Sequence, residues 1–276
     1  MNLDSIARDY TQGNLLNAIL AGVEKIGKTP ETVTSDDLSP VDEFHVGGRL
    51  ATRLLLDQMI ISTDDRVLDV GCGIGGASRF TAQAFGCQVI GVDLTAEFIE
   101  VGNALCRWVG LDSRIHLLQG NVLALDCPND TFDKAFMIHV GMNIIDKTAL
   151  ATEIGRVLKP GAIFGIYDIM RTSDTKLDFP VPWATTAEGS FLASLESYKN
   201  ALTQVGFEIV NERNRRDFAL ELYGRIKNTV PGKGRESPPL GLHLIMGAEA
   251  QIKIRNMFEN IEQGCIAPIE LIAQKR

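Results

Sequence analysis

Between Arg66 and Gly76 the chain reads Arg-Val-Leu-Asp69-Val-Gly71-Cys72-Gly73-Ile-Gly75-Gly76. An apolar run stops at a cluster of glycines, and a helix-like segment follows. The run has the length of a buried strand. The glycines supply a tight turn in which bare backbone can approach a ligand, and the helix start offers unpaired N–H groups. About twenty residues on, at the distance typical of a neighbouring strand tip, a second apolar run, Val89-Ile-Gly-Val92, ends at Asp93. An acid there can accept hydrogen bonds from both ribose hydroxyls of a nucleoside. Strand, glycine turn, helix and acid-tipped strand together open a doubly wound α/β sheet.

The rest of the chain continues the alternation. Strands are expected near 66–71, 88–93, 115–119, 133–139 and 162–168, with helices near 76–85, 95–109 and 147–158 between them. That order predicts a parallel sheet with helices on both faces. Upstream, Leu15, Leu16, Ile19, Leu20, Val23 and Ile26 fall at helical spacing within 3–27. Residues 28–44 read as loop, and a helix is expected from Gly47 to about Met59, a boundary of ordinary precision. After Asp168 the alternation stops. Residues 171–190, with Pro180, Pro182 and Trp183, read as a loop or short cap. Residues 191–205 and 217–228 read as helices on either side of a sixth strand, Phe207–Val210. Residues 229–241 are rich in Pro, Gly and charge and predict a mobile loop. A helix over 247–262 and a strand over Pro268–Ala273 close the pattern. The expected organisation is N-terminal helices and linker (1–44), a nucleoside-binding core (45–170), and cap segments with the last two strands of the same sheet (171–276).

Composition narrows the function. With 45% apolar and 22% charged residues, 276 residues can bury a sizeable core. A net charge of −8 argues against a nucleic-acid groove, which needs a basic stripe. No apolar run is long enough for a bilayer span, and no leader pattern opens the chain. Five cysteines with no Cys-x-x-Cys pair predict reduced thiols in a cytoplasm, no disulfide frame and no metal site. A small-molecule ligand is the expected partner, and oligomeric state is left open.

Asp69 lies just before the first glycine. A carboxylate there suits a cationic amine and is poorly placed beside a pyrophosphate. The stretch Asp69–Gly76 resembles the first motif of class I S-adenosylmethionine (SAM) methyltransferases. Thr131-Phe-Asp133 leading into Ala135–Ile138, and Arg156-Val-Leu-Lys-Pro160-Gly161 leading into Ala162–Ile166, resemble that family's entries to its fourth and fifth strands. The resemblance covers roughly residues 45–170, as judged by motif order. It implies a seven-stranded, mostly parallel sheet whose last strand inserts antiparallel between the fifth and sixth, with SAM as cofactor. A shorter segment, Asp42-Glu-Phe44-His45-Val-Gly47-Gly48-Arg49, resembles small-molecule N-methyltransferases of the glycine–sarcosine–dimethylglycine type.

The resemblance assigns roles. Gly71, Cys72 and Gly73 would bring backbone to the amino acid end of SAM, and Asp69 would help hold its ammonium. Asp93 would take the ribose and Leu94 the adenine face. Asn121 would read the adenine amino group, and the Val122 amide a ring nitrogen. His139 ends the fourth strand, at the sheet edge where ligands bind. It is a cofactor contact and the candidate general base, with a rate expected to rise through an ordinary imidazole pKa. His45, Asn143, Tyr167, Trp183 and His243 are acceptor-binding candidates. The expected activity is methyl transfer to a small molecule by in-line displacement, with an amine acceptor favoured. The alternatives are an oxygen or carbon acceptor, a non-catalytic SAM-binding regulator, and an NAD-dependent oxidoreductase.

Overall fold

The computed structural model describes residues 10, 11, 13–229 and 237–276. Seven strands form one sheet in the order β3-β2-β1-β4-β5-β7-β6. They are β1 Arg66–Val70, β2 Gln88–Asp93, β3 Ile115–Gln119, β4 Phe132–Ile138, β5 Leu158–Arg171, β6 Phe207–Asn214 and β7 Ile266–Lys275. The first five strands pair in parallel. β7 runs antiparallel to both β5 and β6, as the resemblance implies. The strand order reverses at β1, so the ends of β1 and β4 open a crevice there.

Period-two alternation sorts each strand between two cores. Leu68, Val70, Met137 and Phe164 pack with Leu150, Ile154 and Leu202 on one face. Val67, Phe136, Val89 and Tyr167 pack with Leu55, Met59 and Phe80 on the other. The helices are α1 Leu15–Lys25, α2 Ser35–Asp42, α3 Gly48–Leu56, α4 Gly76–Phe85, α5 Ala96–Trp108, α6 Lys147–Val157, α7 Leu195–Gln204, α8 Arg216–Thr229 and, after a single turn at His243–Met246, α9 Ala250–Glu262.

Four expectations change. Residues 28–44 are not simply loop, because α2 occupies Ser35–Asp42. A capping box starts it: Thr34 Oγ1 accepts from the Asp37 amide and Asp37 accepts from the Thr34 amide. Pro40 cannot donate, and the Ser39 hydroxyl donates to the Asp36 carbonyl instead. The helix expected to reach Met59 stops at Leu56. The helix expected over 191–205 begins only at Leu195, because Ser194 bridges to Arg171 at the extended end of β5. β6 runs past Val210 to Asn214 through a register shift at Ile209/Asn211. Of the expected loop 229–241 and the helical segment expected over 3–27, residues 230–236, 3–9 and 12 lie outside the described residues.

The N-terminal helices are fastened to the core by one buried ion pair. Arg79 of α4 is 0% exposed; its Nη2 donates to Asp42 Oδ2 at 2.7 Å and its Nη1 to the Ile74 carbonyl at 2.9 Å. That pair ties the end of α2 to the helix that follows the glycine turn.

Candidate active site

The carboxyl ends of β1, β2 and β4 open into a cavity of about 320 Å³, the size range of small-molecule sites. At one end lies the glycine turn. The amides of Gly71 and Cys72 both donate to the Val92 carbonyl, at 2.8 and 3.1 Å, which fixes the turn to β2. Gly71 and Gly73 have φ of 76° and 53°, conformations that favour glycine. A Cβ at Gly71 would fall 2.4 Å from Val140, inside the protein. One at Gly73 would meet nothing within 4 Å among the described residues. Gly71 is therefore required by packing, whereas Gly73 leaves space over its backbone.

Asp93 accepts from the Gly73 amide on Oδ2 and from the Thr95 amide on Oδ1, each at 2.9 Å. Each carboxylate oxygen can accept more than one hydrogen bond, so these amides anchor the group without exhausting its acceptor capacity. Asp69 is buried and accepts from Ser78 Oγ at 2.6 Å. Burial first, then the nearby charges of Asp93 and Glu43, pushes its carboxyl up to about 7 despite that bond. A cation arriving at the cavity would recover the charged form.

Leu94, Asn121 and Val122 line the next wall, beside Thr95 and Phe98. Asn121 Oδ1 accepts from the Leu123 amide at 2.9 Å, closing a turn that aims residues 121 and 122 into the cavity. An aromatic wall faces them. Tyr10 packs edge-on against Phe44 and Phe98, with centroids 6.5 and 5.8 Å apart.

The other end of the cavity is built around β4. His139 ends that strand with φ 55°, a conformation uncommon outside glycine. Its amide donates to the Tyr167 carbonyl at 2.8 Å. The loop beyond is pinned by buried Asp168, which accepts from the Gly141 amide at 2.9 Å and from the Tyr198 hydroxyl at 2.7 Å. That loop delivers Met142, Asn143, Ile144 and Ile145 to the cavity, and Asn143 Oδ1 accepts from Tyr10 Oη at 3.4 Å. Trp183 closes the far side, its Nε1 held by Ser190 Oγ at 2.9 Å.

His139 lines the cavity, but its Nε2 is buried and has no hydrogen-bond partner among the described residues. Its ring packs beside Tyr167 and His45, with centroids 5.2 and 5.8 Å away. Burial, with neighbouring His45 adding to it, holds the imidazole well below its ordinary value. The ring is neutral at physiological pH, so a rise in rate through an ordinary imidazole pKa is not expected.

Nearly all the sequence-derived residues meet here. Asp69, Gly71, Cys72, Gly73, Asp93, Leu94, Asn121, Val122, His139, His45, Asn143 and Trp183 all line the one cavity. Two do not. Tyr167 lies fully buried beneath the two histidines and donates to the Val46 carbonyl at 3.0 Å. β5 is an inner strand at that point, so the ring belongs to the core. His243 borders a separate surface groove with Ala18, Lys25 and Pro239, and the cavity is reached from that turn by Ile245. Tyr10, Phe44, Phe98, Ile145 and Pro182 also line the cavity without having been singled out for it. Phe44 and Pro182 lay within segments that carried a signal; Tyr10, Phe98 and Ile145 did not.

Comparison with known proteins agrees with this fold. Residues 67–161 match the model of a methyltransferase domain. Within those residues the chain carries a methyltransferase domain, and the order of its sheet is the one that the resemblance implies. It is 33% identical over 163 residues to a sterol 24-C-methyltransferase of Eremothecium gossypii, covering 57% of this chain and 44% of that protein. It is 30% identical over 191 residues to phosphoethanolamine N-methyltransferase 3 of Arabidopsis thaliana, covering 69% and 38%. The chain thus spans less than half the length of these two relatives. The fold matches that of geranyl diphosphate C-methyltransferase from Streptomyces coelicolor, solved with S-adenosyl-L-homocysteine, with a TM-score of 0.67 at 19% identity over 82% of this chain and 76% of that one.

Proposed function

We propose that this chain transfers a methyl group from SAM to a small, largely apolar acceptor. The observation that carries the proposal is a single cavity with two different ends. Asp69, Asp93 and the open backbone at Gly73 stand at one end; Met142, Ile144, Ile145, Pro182 and Trp183 stand at the other. SAM supplies an electrophilic methyl group on a cationic sulfur. The chain's own part is to hold and enclose. Asp93 has acceptor capacity for a ribose, and Asp69 can take an ammonium. Asn121 and Val122 offer polar groups to an adenine edge, and Leu94 and Phe98 offer apolar surface to its faces. Tyr10, Phe44 and Trp183 restrict water. An acceptor docked against His45, His139 and Trp183 would be held for displacement with little further chemistry required.

The relatives include both carbon and nitrogen methyltransferases, so the amine preference expected from sequence gains no support from them. The neutral His139 fits a contact to acceptor or cofactor equally well. A cytoplasmic setting belongs to this proposal, and no described helix is long and apolar enough to cross a membrane.

Calorimetry with SAM, its demethylated product and NAD tests the cofactor assignment. SAM and its product should bind and NAD should not; the reverse result overturns it. A labelled-methyl screen of small acceptors then separates an enzyme from a non-catalytic regulator.

A further inference from the structure

The turn before α3 holds a second imidazole in a more defined setting than His139. His45 Nε2 lies 3.0 Å from the Gly48 carbonyl oxygen, 3.0 Å from Thr52 Oγ1 and 3.5 Å from Glu43 Oε2. The Thr52 hydroxyl donates its hydrogen to Glu43 Oε2 at 2.8 Å, so toward His45 it presents lone pairs. A carbonyl also only accepts. With acceptors on every side, Nε2 carries the ring hydrogen, and Nδ1 of the neutral ring is a bare lone pair. The turn is shaped for this contact: Gly47 and Gly48 both have positive φ, which folds the Gly48 carbonyl back onto the ring.

Nδ1 has no partner among the described residues and is not one of the sealed atoms, which are Asp42 Oδ1, Arg79 Nε and His139 Nε2. His45 lines the cavity with 5% of its side chain still exposed. The arrangement is a carboxylate, an imidazole and an open nitrogen facing a ligand space. It is the geometry of a base whose far side is oriented. His139 has neither a carboxylate nor a carbonyl behind it.

We infer that His45, oriented by Glu43, is the base that takes the proton of a hydroxyl acceptor during methyl transfer. This rests on the methyltransferase reading above. The acceptor's O–C bond forms as the methyl–sulfur bond breaks, sulfur keeps the electron pair, and the hydroxyl proton passes to His45 Nδ1 and then to water. One positive charge leaves the sulfur and one appears on the imidazole. The cavity's total charge is unchanged through the step, and its carboxylates continue to compensate it. His45 is the catalytic residue in this assignment, and Glu43 a positioning residue.

The charged and titratable groups around His45 are Asp42 and Glu43 from its own segment, His139 from β4 and Tyr167 from β5, with Arg49 of α3 paired to the far oxygen of Glu43. Burial outweighs the Gly48 bond and Asp42 and holds the ring at about 4. The proton-accepting form is therefore fully present at neutral pH, and the rate should be flat between roughly pH 6 and 8.

The test uses the full chain with SAM and ring-¹⁵N histidine, the four histidines being assigned by single His→Gln variants. NMR should show His45 protonated on Nε2 and bare on Nδ1. Glu43→Gln should mix the tautomers, and Glu43→Asp should partly restore them. Single-turnover transfer of labelled methyl to a phenol, an aliphatic alcohol and a tertiary amine completes the test. With a hydroxyl acceptor, His45→Gln should slow transfer by about 10²–10⁴ while SAM affinity stays within about twofold. A bare Nε2 overturns the inference. So does an unchanged rate in His45→Gln, or methylation of the tertiary amine alone. The tautomer is read without an acceptor, so it decides even if no panel member is methylated. Failure of the unmodified chain to bind SAM would instead overturn the reading on which this inference rests.

Discussion

The two ends of the cavity are built by different means. The proposed cofactor end is mostly backbone and strand tip: Gly71 and Cys72 bonded to Val92, Gly73 bonded to Asp93, all within one βαβ unit. The proposed acceptor end is side chains from segments far apart in sequence: Phe44 and His45, Met142 to Ile145, Pro182 and Trp183, and Ile245. A site made of backbone is written in residue spacing. One made of side chains exists only after the chain has packed. The first half can hold one ligand while the second changes freely, which is how one fold serves different acceptors.

The sharpest way to break that contrast is at the glycines. Gly71→Ala places a Cβ against Val140 in a left-handed backbone. It should lose about 2–4 kcal/mol of stability in urea unfolding, with SAM binding lost as well. Gly73→Ala meets no atom of the described residues and should lose only about 1–2 kcal/mol of stability, the cost of a left-handed non-glycine residue. Its larger effect should be on SAM affinity by calorimetry. Equal behaviour of the two variants would show that the turn is one structural unit and Gly73 no cradle.

Asp93→Ala removes the charged acceptor at the strand tip and should weaken SAM binding by about 2–4 kcal/mol in a chain that still folds. Unchanged affinity would remove the ribose from that position.

The next effect is in pH. Asp69 is held at about 7, mainly by burial, and must be ionised to hold an ammonium. SAM affinity should therefore rise with pH through that value, by roughly tenfold between pH 6 and 8, with proton release seen in buffers of different ionisation enthalpy. For folding without ligand the sign is opposite. The folded carboxyl titrates above its unfolded value, so its contribution to stability is full below about pH 4 and declines as pH rises through 7. Asp69→Asn should flatten both profiles.

The smallest effect belongs to the acceptor end. Trp183→Phe removes the bond to Ser190, worth about 1 kcal/mol of stability, and should leave SAM affinity within about twofold. A large loss of SAM affinity would mean that the two ends do not act separately.

The same contrast explains what could be read before folding. Asp69, Gly73 and Asp93 fall at fixed distances around one turn, so spacing places them. Trp183 could be named only because an aromatic in a proline-bearing cap is conspicuous. Tyr167 misled because the end of a strand is not always its exposed part: β5 is flanked by β4 and β7 there, and the ring turned inward. Tyr10 carried no signal, since its place depends on how the N-terminal segment lies against α5. α2 was missed because proline reads as loop, while the Thr34–Asp37 cap that outweighs it is a subtle pattern.

The ion pair between Arg79 and Asp42 has a dynamic consequence. Separating α2 from α4 would strand a buried guanidinium opposite a buried carboxylate, so the two helices resist opening independently. Amide hydrogen exchange should show them as one cooperative unit. A ligand gripping the glycine turn should then slow exchange along α2 as well, at amides it does not touch.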